Sequence, residues 1–135
     1  MSGIALAALC LMAQVQDPLA TIRATLTGPT EREWVFKQIQ VFMGPGDRCE
    51  QGEALRFLAD RTVVIESCVN KQMTERRAPW TLRPNGVLDP ILTFDGAEYE
   101  LLFSNKDGKH SMRLRKRGAS KVDPASDKVY RLAEQ

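Results

Sequence analysis

The chain is poor in the residues from which enzymes assemble their chemistry. It has one histidine, His110, and three cysteines in 135 residues. No serine or cysteine has a second base close by in sequence, so a nucleophile with its general base has no evident members. His110 stands at the start of an expected strand, next to a glycine-containing turn, and reads as a structural or solvated side chain. Two cysteines with one distant histidine do not supply the closely spaced ligands of a zinc site. No glycine-rich phosphate loop runs into a helix, and Gly44-Pro45-Gly46 reads as a turn between strands. The carboxylate pairs Glu98 with Glu100 and Glu50 with Glu53 read as a solvated strand face or loop. These absences lead to the expectation of a protein that is not an enzyme, holds no metal and needs no cofactor.

An excess of one charge sign is also missing, since 19 Lys and Arg face 17 Asp and Glu for a formal net charge of +2. No polyanionic partner follows from that total. Low-complexity tracts are absent, and the composition is that of one globular domain. The apolar run Ile4 to Ala13 is too short to span a bilayer as a helix, so no stable membrane span is expected.

That uncharged run does match the hydrophobic centre of a secretory signal peptide. A leader over residues 1–16, cleaved after 13 to 16, with a single domain over 17–135, is the expected organisation. No Lys or Arg precedes the run, and Leu11 stands where a small residue is preferred; a buried N-terminal helix is the other reading. Leu9 before Cys10 argues against a lipid anchor. Cleavage would remove Cys10 and leave the pair Cys49 and Cys68. In an oxidising compartment that pair is expected to form a disulfide, which would stabilise the fold by about 3 kcal/mol. The expected location is the periplasm or the exterior.

Asp17-Pro18 followed by Leu19, Ile22 and Leu26 and then Gly28 reads as a short helix with one apolar face, capped by Asp17. From Trp34 the period becomes alternating. Expected strands cover Trp34 to Met43, with a bulge near Lys37 or Gln38; Ala54 to Ala59 and Thr62 to Val69, a hairpin turning at Asp60-Arg61; Glu75 to Arg83; Leu88 to Phe94; Glu98 to Ser104; His110 to Arg117; and Val129 to Leu132. Pro79 implies an edge or a bulge, and Arg83-Pro84-Asn85-Gly86, Asp95-Gly96 and Asn105 to Gly108 are turns. The fold class is therefore all-β: a small antiparallel up-and-down β-barrel of about eight strands with a short N-terminal helix.

Alternation places Phe36, Phe57, Trp80, Tyr99 and Phe103 inward, together with Ile65, Leu82 and Leu101, as well as Leu55, Ala59 and Val63. An interior of eight strands is either filled by side chains or holds one small ligand, and both readings stand at this point. Met112 to Arg117 is the sharpest charge signal, with Arg113, Arg115 and Arg117 on one strand face. That face is either a surface for an anionic group or protein, or a solvated exterior paired with Glu98 and Glu100 on the preceding strand. No aromatics interleave with the arginines, which argues against nucleic acid.

A leader, a short helix, Trp34 on the first strand, a cysteine-flanked hairpin, Trp80-Thr81-Leu82 before Asn85-Gly86 and a final Val129-Tyr130-Arg131-Leu132 together resemble the lipocalin-like domains of exported bacterial proteins. The likeness runs from Leu26 to Leu132. The family has glycine two residues before its tryptophan, whereas Gly28 here precedes Trp34 by six. The resemblance implies a core role for Trp34, with Arg131 as the C-terminal arginine packing across it, and binding of small apolar molecules. The expectation is thus a monomeric exported binding protein whose candidate ligand positions are Trp34, Phe36, Phe57, Ile65, Trp80, Tyr99, Leu101 and Phe103. The alternative is a periplasmic module that binds another protein, as an enzyme inhibitor or immunity protein, through its loops and the Arg113, Arg115 and Arg117 face.

Overall fold

The computed structural model describes residues 17–36, 53–70, 72–118 and 127–133. Helix α1 (Ala20–Thr27) precedes eight strands, β1 (Glu31–Phe36), β2 (Glu53–Leu58), β3 (Thr62–Val69), β4 (Gln72–Asn85), β5 (Leu88–Phe94), β6 (Ala97–Lys106), β7 (Lys109–Lys116) and β8 (Asp127–Leu132). Each strand pairs antiparallel with its neighbour, and β8 returns to β1 with Trp34 opposite Leu132, closing the barrel. Closure satisfies both edges of every strand, which an open eight-stranded meander would leave exposed.

Turn chemistry sets the register locally. Asp95-Gly96 joins Phe94 to Ala97 and Asp107-Gly108 joins Lys106 to Lys109, with positive φ at all four turn residues. Two-residue turns of this hand match the twist of the flanking strands, and Asp-Gly is the pair that tolerates them. The β2–β3 connection is wider than the expected Asp60-Arg61 pair. Ala59 belongs to the turn, exposed rather than inward, its amide donating to the Thr30 carbonyl at 2.8 Å.

Strand β4 runs longer in both directions than the expected Glu75 to Arg83. Its first part, to Pro79, pairs with β3, and from Trp80 onward it pairs with β5. Pro79, which has no amide to donate, stands where the strand changes partners; the ladder resumes as Trp80 N donates to Arg61 O at 2.9 Å. The register shifts between Arg83 and Asn85, at Pro84. Strand β8 likewise begins at Asp127, before the expected Val129. Strand β1 begins at Glu31, and the expected continuation to Met43, with its bulge, lies outside the described residues.

The interior is one cluster: Trp34, Leu55, Phe57, Val63, Ile65, Trp80, Leu92, Phe94, Leu101, Met112, Leu114, Tyr130 and Leu132, with Leu26 from the helix. A fully buried side chain of this kind contributes about 1.5–3 kcal/mol. Some outward positions are also shielded. Val64 lies between Arg56 and Arg77, and Ile91 between Arg83 and Glu100, and both are fully buried. Long charged side chains cover such apolar positions with their stems.

Candidate functional site

The two ends of the barrel are finished differently. At one end α1 lies against β1 and β2. Its capping differs in detail from expectation, since Leu19 is the N-cap and the Asp17 carboxylate accepts from the Leu19 amide at 2.9 Å. The helix ends at Gly28, whose φ of 61° favours a residue without a Cβ. Leu26 is fully buried, and its carbonyl accepts from Trp34 Nε1 at 3.0 Å. Arg32 donates from Nη1 to the Thr25 carbonyl at 2.9 Å, and Trp80 Nε1 donates to the Leu58 carbonyl at 3.1 Å. Both buried indoles are thereby satisfied by backbone, as burial of an N–H requires. Arg131 does not pack across Trp34: it lies opposite Val35, exposed, on the outer face. Strand parity decides this, because Trp34 faces in and is matched by Leu132. The ring stacked on Trp34 is Phe103, with centroids 5.5 Å apart.

All eight residues expected inside are brought together. Trp34, Phe57, Ile65, Trp80 and Leu101 are buried, while Phe36, Tyr99 and Phe103 are half-buried against them. Phe57 meets Trp80 edge-on at 6.0 Å and Phe94 at 5.7 Å, and Phe94 stacks on Tyr99 at 5.0 Å. Around these residues the barrel is filled by rings resting on rings, so they form a floor rather than the wall of a deep cavity.

The other end, marked by Phe36 of β1, Glu53 of β2 and Asp127 of β8, carries a polar set that the sequence reading missed. Glu53 has the parity of Leu55 and Phe57 and points inward; reading it as a solvated carboxylate is corrected, because β2 extends to include it. Lys128 shares the parity of Tyr130 and Leu132. Glu53 Oε2 lies 2.8 Å from Lys128 Nζ, and Glu53 Oε1 accepts from the Tyr130 hydroxyl at 3.0 Å. Lys128 Nζ also sits 5.4 Å from the centroid of the Phe36 ring, which is 5.6 Å from the Tyr130 ring. Burial first, and then the Glu53 carboxylate, push the Tyr130 hydroxyl far above its ordinary pKa. The same two causes raise Tyr99. Both phenols therefore remain donors throughout the physiological range. The glutamate and lysine were legible only as charges in the sequence; strand parity counted from Phe57 and Tyr130 would have turned both inward.

On the outside, Arg113 Nε lies 2.8 Å from Asp127 Oδ1, and Arg115 Nη2 lies 3.4 Å from Asp127 Oδ2. Arg117 Nη1 lies 3.4 Å from Glu98 Oε1, while Glu98 Oε2 is 2.7 Å from Arg83. The hydrogen bond from Arg113 holds the Asp127 carboxyl below its ordinary value, and the one from Arg83 does so for Glu98. Glu100 stands opposite Arg115. A surface groove of about 280 Å³ passes here, between Leu88 and Asp89 on one side and Glu100, Arg115 and Arg117 on the other. Leu102 and Val129, both exposed, flank Arg113 across the two ladders.

Cys68 is on β3, and its expected partner Cys49 lies outside the described residues, as does the expected leader. His110 is exposed on β7 opposite Asn105. Among the described residues no group of three or more His, Cys, Asp or Glu is placed to hold a metal ion, and no helix is long and apolar enough to cross a membrane. Comparison of the chain with family models, with curated proteins and with solved structures finds no match.

Proposed function

We propose that the protein is an exported, lipocalin-like binding protein that takes a small amphipathic ligand at the barrel end opposite α1. The observation that carries this reading is the change in character along the barrel axis. A floor of contacting aromatic rings, Tyr99 among them, is topped by Glu53, Lys128 and the Tyr130 hydroxyl, which meet from two strands. Binding sites join an apolar lining to a few placed polar groups in this way. The apolar part of a ligand would rest on Phe36 and Tyr99, and its polar head would meet the charged pair.

A neutral fluorescent amphiphile, N-phenyl-1-naphthylamine, tests this. Saturable binding at one site per chain is expected, weakened about tenfold by Phe36→Ala, which removes a ring from the site. Arg113→Ala, on the outer face, should leave it unchanged. Absence of saturable binding, or equal loss in both variants, would sink the proposal.

Export rests on the uncharged apolar run Ile4 to Ala13 and on the cysteine pair that its removal leaves. A Cys49–Cys68 disulfide belongs to the same reading. Intact mass before and after reduction should differ by the hydrogens gained, and free thiols at both positions in protein from the native compartment would overturn it.

A further inference from the structure

We infer that the ligand taken at this end carries a cationic head group, an alkyl or aryl ammonium, and that Lys128 is an internal stand-in for it. The inference rests on the reading of this end as a binding site and adds the charge of the ligand. Lys128 places its ammonium 2.8 Å from a Glu53 oxygen and 5.4 Å from the Phe36 centroid. Carboxylate on one side and ring face on the other is how proteins recognise organic cations.

The two members of the ion pair are not equivalent. Glu53 begins a paired strand, opposite Phe36, and its second oxygen is held by Tyr130, a residue only 2% exposed. The two side chains are about equally exposed, 30% for Lys128 and 26% for Glu53, but Lys128 reaches the same point on a flexible four-carbon stem, while Glu53 has the shorter stem and the second partner. The lysine can swing into solvent; the carboxylate is held in place. A ligand ammonium would therefore replace Lys128 and inherit both of its contacts. An anionic head would have to displace Glu53, or sit beside it as a like charge in a partly desolvated site, which is costly. The Tyr130 hydroxyl donates to Oε1 and so helps orient the carboxylate with Oε2 toward the ammonium position.

Isothermal titration calorimetry with decylammonium, decanol and decanoate, each below its aggregation threshold, separates the outcomes. In the wild type decylammonium should bind at least about tenfold more tightly than the other two. Lys128→Met keeps an apolar stem and removes the competitor, so decylammonium affinity should rise about tenfold and the ratio of decylammonium to decanol affinity should rise with it. Glu53→Gln should lower decylammonium affinity by about tenfold or more. Preference for decanoate, or a Lys128→Met variant with unchanged or weaker ammonium binding, overturns the inference while leaving the binding site itself standing. Failure of all three amphiphiles to bind removes the site and the inference together. Should Glu53→Gln not fold, the Lys128→Met result decides alone, because that side chain reaches solvent.

Discussion

The two ends of this barrel use the same strands and solve opposite problems. At the helix end, each buried polar atom of a large aromatic residue is answered by a backbone carbonyl: Trp34 by Leu26 and Trp80 by Leu58. At the far end the polar atoms answer one another through side chains, Glu53 with Lys128 and Tyr130. Backbone partners cannot move without unfolding something, whereas side-chain partners can change by a rotamer. The first arrangement is suited to closing a barrel and the second to exchanging a partner.

Substitutions at both ends, and on the wall between them, put this contrast to measurement. The largest effect is expected for Trp34→Ala, which empties a fully buried site and strips Leu26 of its hydrogen bond. Denaturant unfolding should show a loss of about 3–5 kcal/mol, and a loss below about 1 kcal/mol would mean that the helix end does not anchor the fold. On the wall, Asp127→Asn breaks the ion pairs to Arg113 and Arg115 around a carboxylate whose side chain is 15% exposed, at a cost of about 1–2 kcal/mol near neutral pH. The folded-state pKa of Asp127 is depressed, so its stabilisation is full above the ordinary aspartate range and lost as pH falls through the folded value. Melting curves from neutral to acid pH should converge for wild type and Asp127→Asn, and a constant gap would contradict the assignment.

Smaller effects are expected where partners can be exchanged. Tyr130→Phe removes one donor from Glu53 and keeps the ring, and should cost about 0.5–1.5 kcal/mol, well under the Trp34 effect. Equality of the two would erase the distinction between the ends. The smallest change is of opposite sign. Glu66 is raised above its ordinary pKa, first by desolvation and then by Glu33, and it stands directly opposite Glu75. A raised carboxyl favours the folded state below its unfolded pKa, and that advantage is lost as pH rises through the folded value. Glu66→Gln should therefore stabilise the protein by about 0.2–1 kcal/mol at neutral pH, with the gain fading in acid.

Much of the wall was legible because strand periodicity is local. Trp80 and Leu82 alternate with Thr81 and Arg83, Tyr99 and Leu101 alternate with Glu98 and Glu100, and Asp95-Gly96 favours a tight turn. The interior residues were found for that reason. What failed were boundaries and charges. Ala59 reads as strand because nothing local marks β2 as ending at Leu58. Glu53 reads as solvated, and Lys128 gives no site signal, because an isolated charge near a strand end carries no sign of which way it points. The resemblance assigns Arg131 to Trp34, although its own parity, one residue from Tyr130, places it outside.

Alternation and turn chemistry, then, were enough to specify eight antiparallel strands, an apolar inward face and a short helix, since each depends on residues only a few positions apart. Closure of β8 onto β1, the seating of Leu26 over Trp34, and the meeting of Glu53 with Lys128 and Tyr130 were decided only in three dimensions. Glu53 and Lys128 are separated by 75 positions along the chain, and only the accumulated twist and register of the intervening strands brings such distant residues within 2.8 Å of each other.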